Sequence, residues 1–595
     1  MKTQLTHRII SGKPIGAAPV LALSILAWIT PSVRAQVSVS LQPSVPSPAR
    51  VGTRATWTAT VSGAEPGAYS YQFAIRGFYE GRRIVKDFGP DNSFDWAPSE
   101  REGFYTIEVV ARNKNTSQTA KAVVPYDVLS NVTGGQPAVT PTSHPLVFLY
   151  SAPPCPLGGI VAVNYSSSNS VVQETSTKPC DGLFTMNFYV AGLRAKTTYS
   201  VKHILQNNGS VSEGPVLSFT SGQAPEDVPT VTMVKPNSGL AEQPVVLSAS
   251  LFTKFLATDL DGNAVWYYPG DLTFLTRPEP GGYFFGINEA AGGDQSRQIV
   301  REFDLAGITV LETNAARINE QLAAAGKRPI SAFHHEARRL SNGHILVLAG
   351  VEQILTDVQG PGPVDILGDM IIVLNRNLEV IWTWDAFDHL DPNRMATQND
   401  RCGPGVCPPV FLGPQPNDWL HGNSVAEAPD GNLVYSARSQ DWVIKIDYQN
   451  GRGSGNVIWR LGKDGDFKIN STDPDPWFSH QHDPEYEADG TLTLFDNGNG
   501  RWVKNPDAHS RGQVFRIDEK NRIADLTLNV DLGHYSLALG SAQLLQNGNY
   551  FFDSGFREDG TGISTEVDPS GNIVYEIESS APEYRTFRMK NMYTP

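Results

Sequence analysis

The chain has 595 residues, too many for one compact core, so several domains are expected. Its formal charge is −15, and residues 1–35 hold four basic residues and no acid, which lowers the remainder to −19. Nucleic acid and anionic membrane surfaces are thereby poor partners. Forty per cent apolar residues with 54 Gly and 42 Pro suit a turn-rich β protein.

In chain order, Lys2, Arg8 and Lys13 precede the apolar run AAPVLALSILAWI, and SVRAQ offers small residues for cleavage after Ala35. This pattern predicts a signal peptide over 1–35 and a periplasmic or secreted protein with no membrane span in the mature chain. The apolar run, bracketed by Pro19 and Pro31, is short for a bilayer crossing of roughly 20 residues. Export makes disulfides the expected state of the four cysteines, pairing Cys155 with Cys180 and Cys402 with Cys407. Zinc is the competing reading, but the spacings do not form paired C-x-x-C knuckles.

Residues 36–130 alternate apolar and polar in short runs such as ATWTATV and YSYQFAIRG, which predicts a β-sandwich. Residues 131–225 have the same texture, and GLRAKTTYSVKHIL resembles the later strands of a fibronectin type III domain. The segment SGQAPEDVPT marks a boundary. From there to residue 595 a degenerate repeat appears: LSNGHILVLAG, APDGNLVYSAR, EADGTLTLFDNG and LQNGNYFFDSG each join an Asn-Gly or Asp-Gly turn to an apolar strand. Such a repeat predicts a six-bladed β-propeller over 226–595, with blades near 230–270, 272–315, 333–386, 420–462, 480–530 and 535–578. The fold class is therefore all-β, one or two β-sandwich domains preceding the propeller.

Nine of the twelve histidines follow residue 330. His335, His421 and His482 stand at the start of successive units, and equivalent phase in a propeller means convergence at one mouth of the channel. The ends of the second strands reach the same mouth, bringing Arg438, Asp496, Asn497 and Asp553, with Arg501 close in sequence. Residues two apart on a strand share a face, so His480 and His482 could hold a metal, and Asn423 shares the face of His421. No H-E-x-x-H is present, because His335-Glu336 is followed by Ala337, Arg338 and Arg339, which puts Arg339 where the second histidine would stand. Arginine, asparagine and histidines together suit the oxygens of a sulfate or phosphate group. The loops 351–368, 386–419 and 497–512 shape the pocket.

With HHE…NG, DWLHGNSV, the Arg438 that ends the following strand, and QH…GTLTLFDNGNGR, the chain resembles the bacterial arylsulfate sulfotransferases. The resemblance covers about 230–580, and it makes Trp419, Trp442 and Trp502 candidates to flank an aryl ring, core packing being the expected role of at least one. It implies an exported six-bladed propeller that moves a sulfuryl group from a small aryl sulfate donor to a phenolic acceptor, with no adenosine-phosphosulfate donor, cofactor or metal. Carried over by motif, His482 would attack sulfur and His421 with Asn423 would hold the sulfuryl oxygens. Arg438 would neutralise those oxygens, and His335 would assist the leaving oxygen with His334 its close competitor. A hydroxyl is implied from the sixth blade, Ser541 or Ser536. Rival readings are a non-catalytic binding propeller, a metal-dependent exported hydrolase and plain aryl sulfate hydrolysis. A homo-oligomer is compatible with the sequence.

Overall fold

The computed structural model describes residues 12 and 37–595, apart from 64–66, 80, 169, 237–242, 290–292, 404–406, 408 and 414. The expected signal peptide lies outside the described residues. Its regular structure is nearly all strand, with two α-helices among the described residues, Ala315–Ala324 and Asn499–Lys504.

Two sheets begin the chain. Ser38–Pro43, Ala55–Ser62 and Ser93–Trp96 form one; the other runs from Ala49–Arg50 through Thr119–Leu129, Gly103–Asn113 and Tyr69–Gly77 to Arg82–Gly89. They close on Trp57, Phe73, Phe94, Ile107, Val109 and Tyr126. Alternation is strict in Gly103–Asn113, where every second side chain from Tyr105 to Asn113 is buried, as expected where one face of a strand meets a core. Residues 138–220 make a second pair of sheets, and the Cys155–Cys180 disulfide sits in their core. That core is continuous with Trp266, Phe284 and Tyr593.

Beyond residue 230 the described chain forms six antiparallel units and a two-stranded pair, Ser536–Ala538 with Phe556–Arg557; one unit is joined to the N-terminal sheet by a parallel pairing of Glu312 with Lys86. Four are built from four consecutive strands each: Phe274–Glu279 to Thr309–Asn314, Phe333–Arg339 to Val380–Asp385, Gly422–Glu427 to Val457–Gly462, and His482–Tyr486 to Ile523–Asp531. The remaining two correct the expected blade limits. Val231–Lys235 does not open the first unit but pairs with Ile573–Ser579 on the outer edge of the last sheet. The inner strand of the first sheet is Glu583–Met589, from beyond the expected end of the repeat, paired with Val245–Ser250. Both ends of the region are thus tied into neighbouring sheets, which leaves fewer unpaired edges. The inner strands lie side by side in the order Phe274–Glu279, Phe333–Arg339, Gly422–Glu427, His482–Tyr486, Ser541–Leu544, Glu583–Met589 and back to the first.

The repeat's turns are hairpins as expected. Gly343, Gly431 and Gly490 hold φ of +80°, +79° and +84°, a region costly for side chains bearing Cβ. A second repeated feature has no simple sequence signature. The register is interrupted between Phe333 and Ala337, between Gly422 and Ser424, and between His482 and Glu485. His335 and Asp483 have φ of +56° and +49° there, and His421, the residue before its strand, has +48°. Such bulges re-aim side chains, and they occur where the histidines stand.

Candidate active site

The bulges gather the histidines. The rings of His335 and His421 are 5.1 Å apart, edge to face, as are those of His334 and His335. His482 is 2% exposed. Its Nδ1 is 2.7 Å from Asn497 Oδ1, and the Asn497 amide nitrogen donates to the carbonyls of Ser536 and Leu539, each at 3.1 Å. The two carbonyls orient the amide, so its oxygen faces the ring and Nδ1 carries the proton. Nε2 is left with its lone pair. Burial first, then the charge of Arg438, push His482 well below the ordinary histidine range despite the Asn497 bond. His335 is pushed the same way by burial and by His334, His421 and His482. Both are therefore neutral imidazoles at neutral pH.

His421 Nδ1 lies 2.6 Å from Asp418 Oδ2. Asn423 gives one amide hydrogen to the Gln481 carbonyl at 2.7 Å, and its Oδ1 is buried without a protein partner. Arg438 opens a short 3-10 turn straight after strand Leu433–Ala437, 3.8 Å from Asp400. Of the second-strand ends, Asn497 touches His482, and Arg438 acts on it through its charge.

Other candidates fall elsewhere. His480 does not share a strand face with His482, because its φ is +56° and the strand begins only at His482. Its Nδ1 lies 3.1 Å from Asp441 Oδ1, its Nε2 3.2 Å from Asp400 Oδ1, and its carbonyl lies 3.2 Å from His482 Nδ1. It is a brace. Arg501 lies 2.6 Å from Asp496 and donates to the His509 carbonyl, holding the short helix after Asn497. The expected hydroxyls are spent on backbone: Ser541 Oγ donates to the Thr586 carbonyl and accepts its N–H, while Ser536 Oγ bonds Ala538 and Phe556. His334 has Asp369 and His335 on its two nitrogens, so it offers no free one to a ligand. Trp419 is buried against Phe387, and Trp442 lies under the Arg394 guanidinium. Trp502 instead stacks on Tyr535 at 4.9 Å, and Tyr535 feels the charge of Arg438.

Both expected disulfides are present, with Cα–Cα distances of 5.4 Å for Cys155–Cys180 and 5.3 Å for Cys402–Cys407. Among the described residues, the group of three potential metal ligands whose atoms all lie within 4.8 Å is Cys402, Cys407 and Asp418, not the histidines. Its two sulfurs are bonded to each other.

Sequence reasoning missed the layer beneath. Arg277 pairs with Glu336 and Asp483, each the residue following a site histidine, and with Glu485 at 3.2 Å. Arg585 pairs with Glu336 at 3.1 Å and donates to the Asn423 carbonyl at 2.6 Å. Tyr584 OH donates to the His335 carbonyl at 2.6 Å. Tyr584 and Arg585 come from the C-terminal strand, over 100 residues beyond the last histidine motif. The dipeptide HE in FHHEARR and HD in QHDPE were visible as His followed by an acid, but nothing local names their partners.

A family model for arylsulfotransferases (ASST) matches residues 227–588, more than half of the chain. The protein belongs to that family. The arylsulfate sulfotransferase AssT of Escherichia coli O6:H1 is 26% identical over 326 residues, 44% of this chain and 50% of that protein. AssT of Lelliottia amnigena is 28% identical over 320 residues, with the same shares. The chain thus matches about half the length of these curated relatives. Among solved structures, chicken CNTN1 FN1–FN3 domains (13% identity, TM-score 0.13, 30% of this chain and 68% of that one) and a two-domain fibronectin type III segment of chicken tenascin (15%, 0.14, 31% and 98%) are similar. Among the described residues no helix is long and apolar enough to cross a membrane. That, with two disulfides, is compatible with an exported protein.

Proposed function

We propose that this arylsulfotransferase-family protein moves a sulfuryl group from an aryl sulfate to a phenolic acceptor in two steps, through a sulfohistidine on His482. The observation that carries the reading is the Asn497 bond, which leaves a buried, uncharged His482 with a bare Nε2. We read the six sheets as the blades of a propeller over 226–595 with the histidines at one mouth, the ring of neighbouring inner strands being the support. Residues 36–130 and 131–225 we read as two β-sandwich domains, and 1–35 as a signal peptide for export.

In the first step the His482 Nε2 lone pair forms the N–S bond as the S–O bond to the phenol breaks. Sulfuryl transfer has the geometry of phosphoryl transfer, so alignment and charge stabilisation dominate by analogy. Arg438, His421 and the second Asn423 hydrogen would hold the sulfuryl oxygens, and the Trp502–Tyr535 stack would offer the aryl ring an apolar wall. Arg501 and Ser541 support the site from behind it. In the second step an acceptor phenol takes the group from the sulfohistidine, giving ping-pong kinetics. Neither adenosine phosphosulfate nor a metal enters the scheme. The test is phenol release from 4-nitrophenyl sulfate by purified protein. Acceptor-dependent release that persists in chelator supports the transferase; release of inorganic sulfate without acceptor, or loss of turnover in chelator, overturns it.

A further inference from the structure

We propose that Asp369 and His334 form a proton store behind His335, emptied in the first half-reaction and refilled in the second. The inference rests on sulfuryl transfer at His482 and concerns how the two phenol oxygens gain and lose their proton.

The chain of contacts is short. Asp369 Oδ2 accepts the Gly422 N–H at 2.7 Å and the Tyr435 hydroxyl, leaving Oδ1, which lies 3.0 Å from His334 Nε2. This is ion-pair contact, off the line of an ideal hydrogen bond. His334 Nδ1 then lies 2.9 Å from His335 Nδ1. Two ring nitrogens that close need one proton between them, on one side or the other. Asp369 and His334 are each 2% exposed, so water does not replace either contact.

Two states follow. In the loaded state His334 is an imidazolium on the Asp369 carboxylate, its Nδ1–H donates to His335 Nδ1, and His335 carries a hydrogen on Nε2. In the empty state His334 is neutral with its hydrogen on Nε2, His335 has its hydrogen on Nδ1, and His335 Nε2 is bare. The states differ by one proton, and His335 is neutral in both. That matters because His335 faces His421, His482 and Arg585, where burial and neighbouring charge oppose an imidazolium. His334 faces the Asp369 carboxylate, with Glu289 also close enough to interact.

The balance of the reaction closes on this store. As the S–O bond breaks, its electron pair stays on the departing phenol oxygen, which takes the Nε2 proton of His335 while His334 Nδ1 passes its proton to His335 Nδ1. The neutral phenol leaves. His482 holds the sulfuryl group on Nε2 and keeps Nδ1–H on Asn497. In the second half-reaction the acceptor hydroxyl gives its proton to His335 Nε2 as its oxygen attacks sulfur. The N–S electron pair returns to His482, and the Nδ1 proton of His335 goes back to His334. No proton crosses to solvent.

The test compares phenyl sulfate, whose phenol is a poor leaving group, with 4-nitrophenyl sulfate, whose phenolate departs with little help. In His334→Gln and Asp369→Asn, kcat for phenyl sulfate should fall roughly 100-fold, the low end of general acid catalysis. That fall should exceed the one for 4-nitrophenyl sulfate by about tenfold or more, and the double variant should be no worse than the poorer single one. Equal falls for both substrates, or no fall, overturn the store and leave a structural role. If His334→Gln does not fold, Asp369→Asn carries the comparison alone, since it keeps the shape of the Gly422 and Tyr435 contacts. Wild-type protein that turns over no aryl sulfate overturns the functional reading and the store with it. A sulfated His482 with equal falls in the variants overturns the store only.

Discussion

Neighbouring residues of the same inner strands meet opposite fates. His335 and His482 stand in a layer whose hydrogen-bonding capacity is only partly used: His482 keeps a bare Nε2, and Asn423 keeps one amide hydrogen. One residue further on, Glu336 and Asp483 are fully engaged with Arg277 and Arg585, all four within 8% exposure. A buried charge is tolerated only when compensated, so the lower layer can hold backbone but has nothing left for a ligand. The lower layer, through Tyr584 and Arg585, fixes the carbonyls of His335 and Asn423 and so holds the upper one in place. Unspent valence marks chemistry here, and spent valence marks scaffold.

The largest effect should come from the upper layer. His482→Ala should lower sulfuryl transfer by roughly 10⁴-fold or more, as removal of a covalent nucleophile does, with thermal stability little changed; mass spectrometry of protein mixed with donor should lose the sulfated adduct. In the lower layer Glu336→Ala should do the reverse. Two buried guanidiniums lose a carboxylate, a cost of roughly 3–5 kcal/mol, read as a lower midpoint in chemical denaturation. A Glu336→Ala protein as stable as wild type would erase the distinction between the layers.

Asn497→Ala sharpens it at one bond. Without the amide oxygen, His482 can place its proton on either nitrogen, and kcat should fall about 10- to 100-fold, the range seen when a partner that orients a histidine ligand is removed. KM should move much less. The smallest effect lies at the seam between the last and first sheets, where Asp553 and Glu583 share a site. Burial and their mutual repulsion raise Asp553 well above the carboxylate range, and burial raises Glu583 to about 7. A raised carboxyl stabilises the fold while protonated. Its contribution is complete below the ordinary value of 4.5, declines above it and is gone as pH passes about 7. Melting temperature should therefore fall between those values, and Asp553→Asn should flatten the fall.

Local pattern carried far in this chain. The Asn-Gly and Asp-Gly turns announced hairpins because glycine alone enters the left-handed region without strain, and the alternating strands announced sheets. Similar phase at the start of successive units suggested that His335, His421 and His482 converge before any coordinates. The same reasoning erred wherever a bulge broke the period of two. His480 and His482 diverge because the backbone turns at His480, and a pattern of letters does not record φ. Ser541 was chosen for its position, yet its hydroxyl is taken by Thr586, a partner 45 residues away.

The sequence by itself determined the class of structure, the repeat, both disulfides and the family, since each is written in spacing or composition over a few dozen residues. Only the tertiary structure decided that the C-terminal strand completes the first sheet and that Arg585 and Tyr584 lie under the histidines. It also decided that Asn497 sets the tautomer of His482 and that His334 is held between Asp369 and His335. Apart from the adjacent His334 and His335, those contacts join residues 15 to 344 positions apart, and a hydrogen bond depends on where chain segments meet in space, which no local propensity encodes.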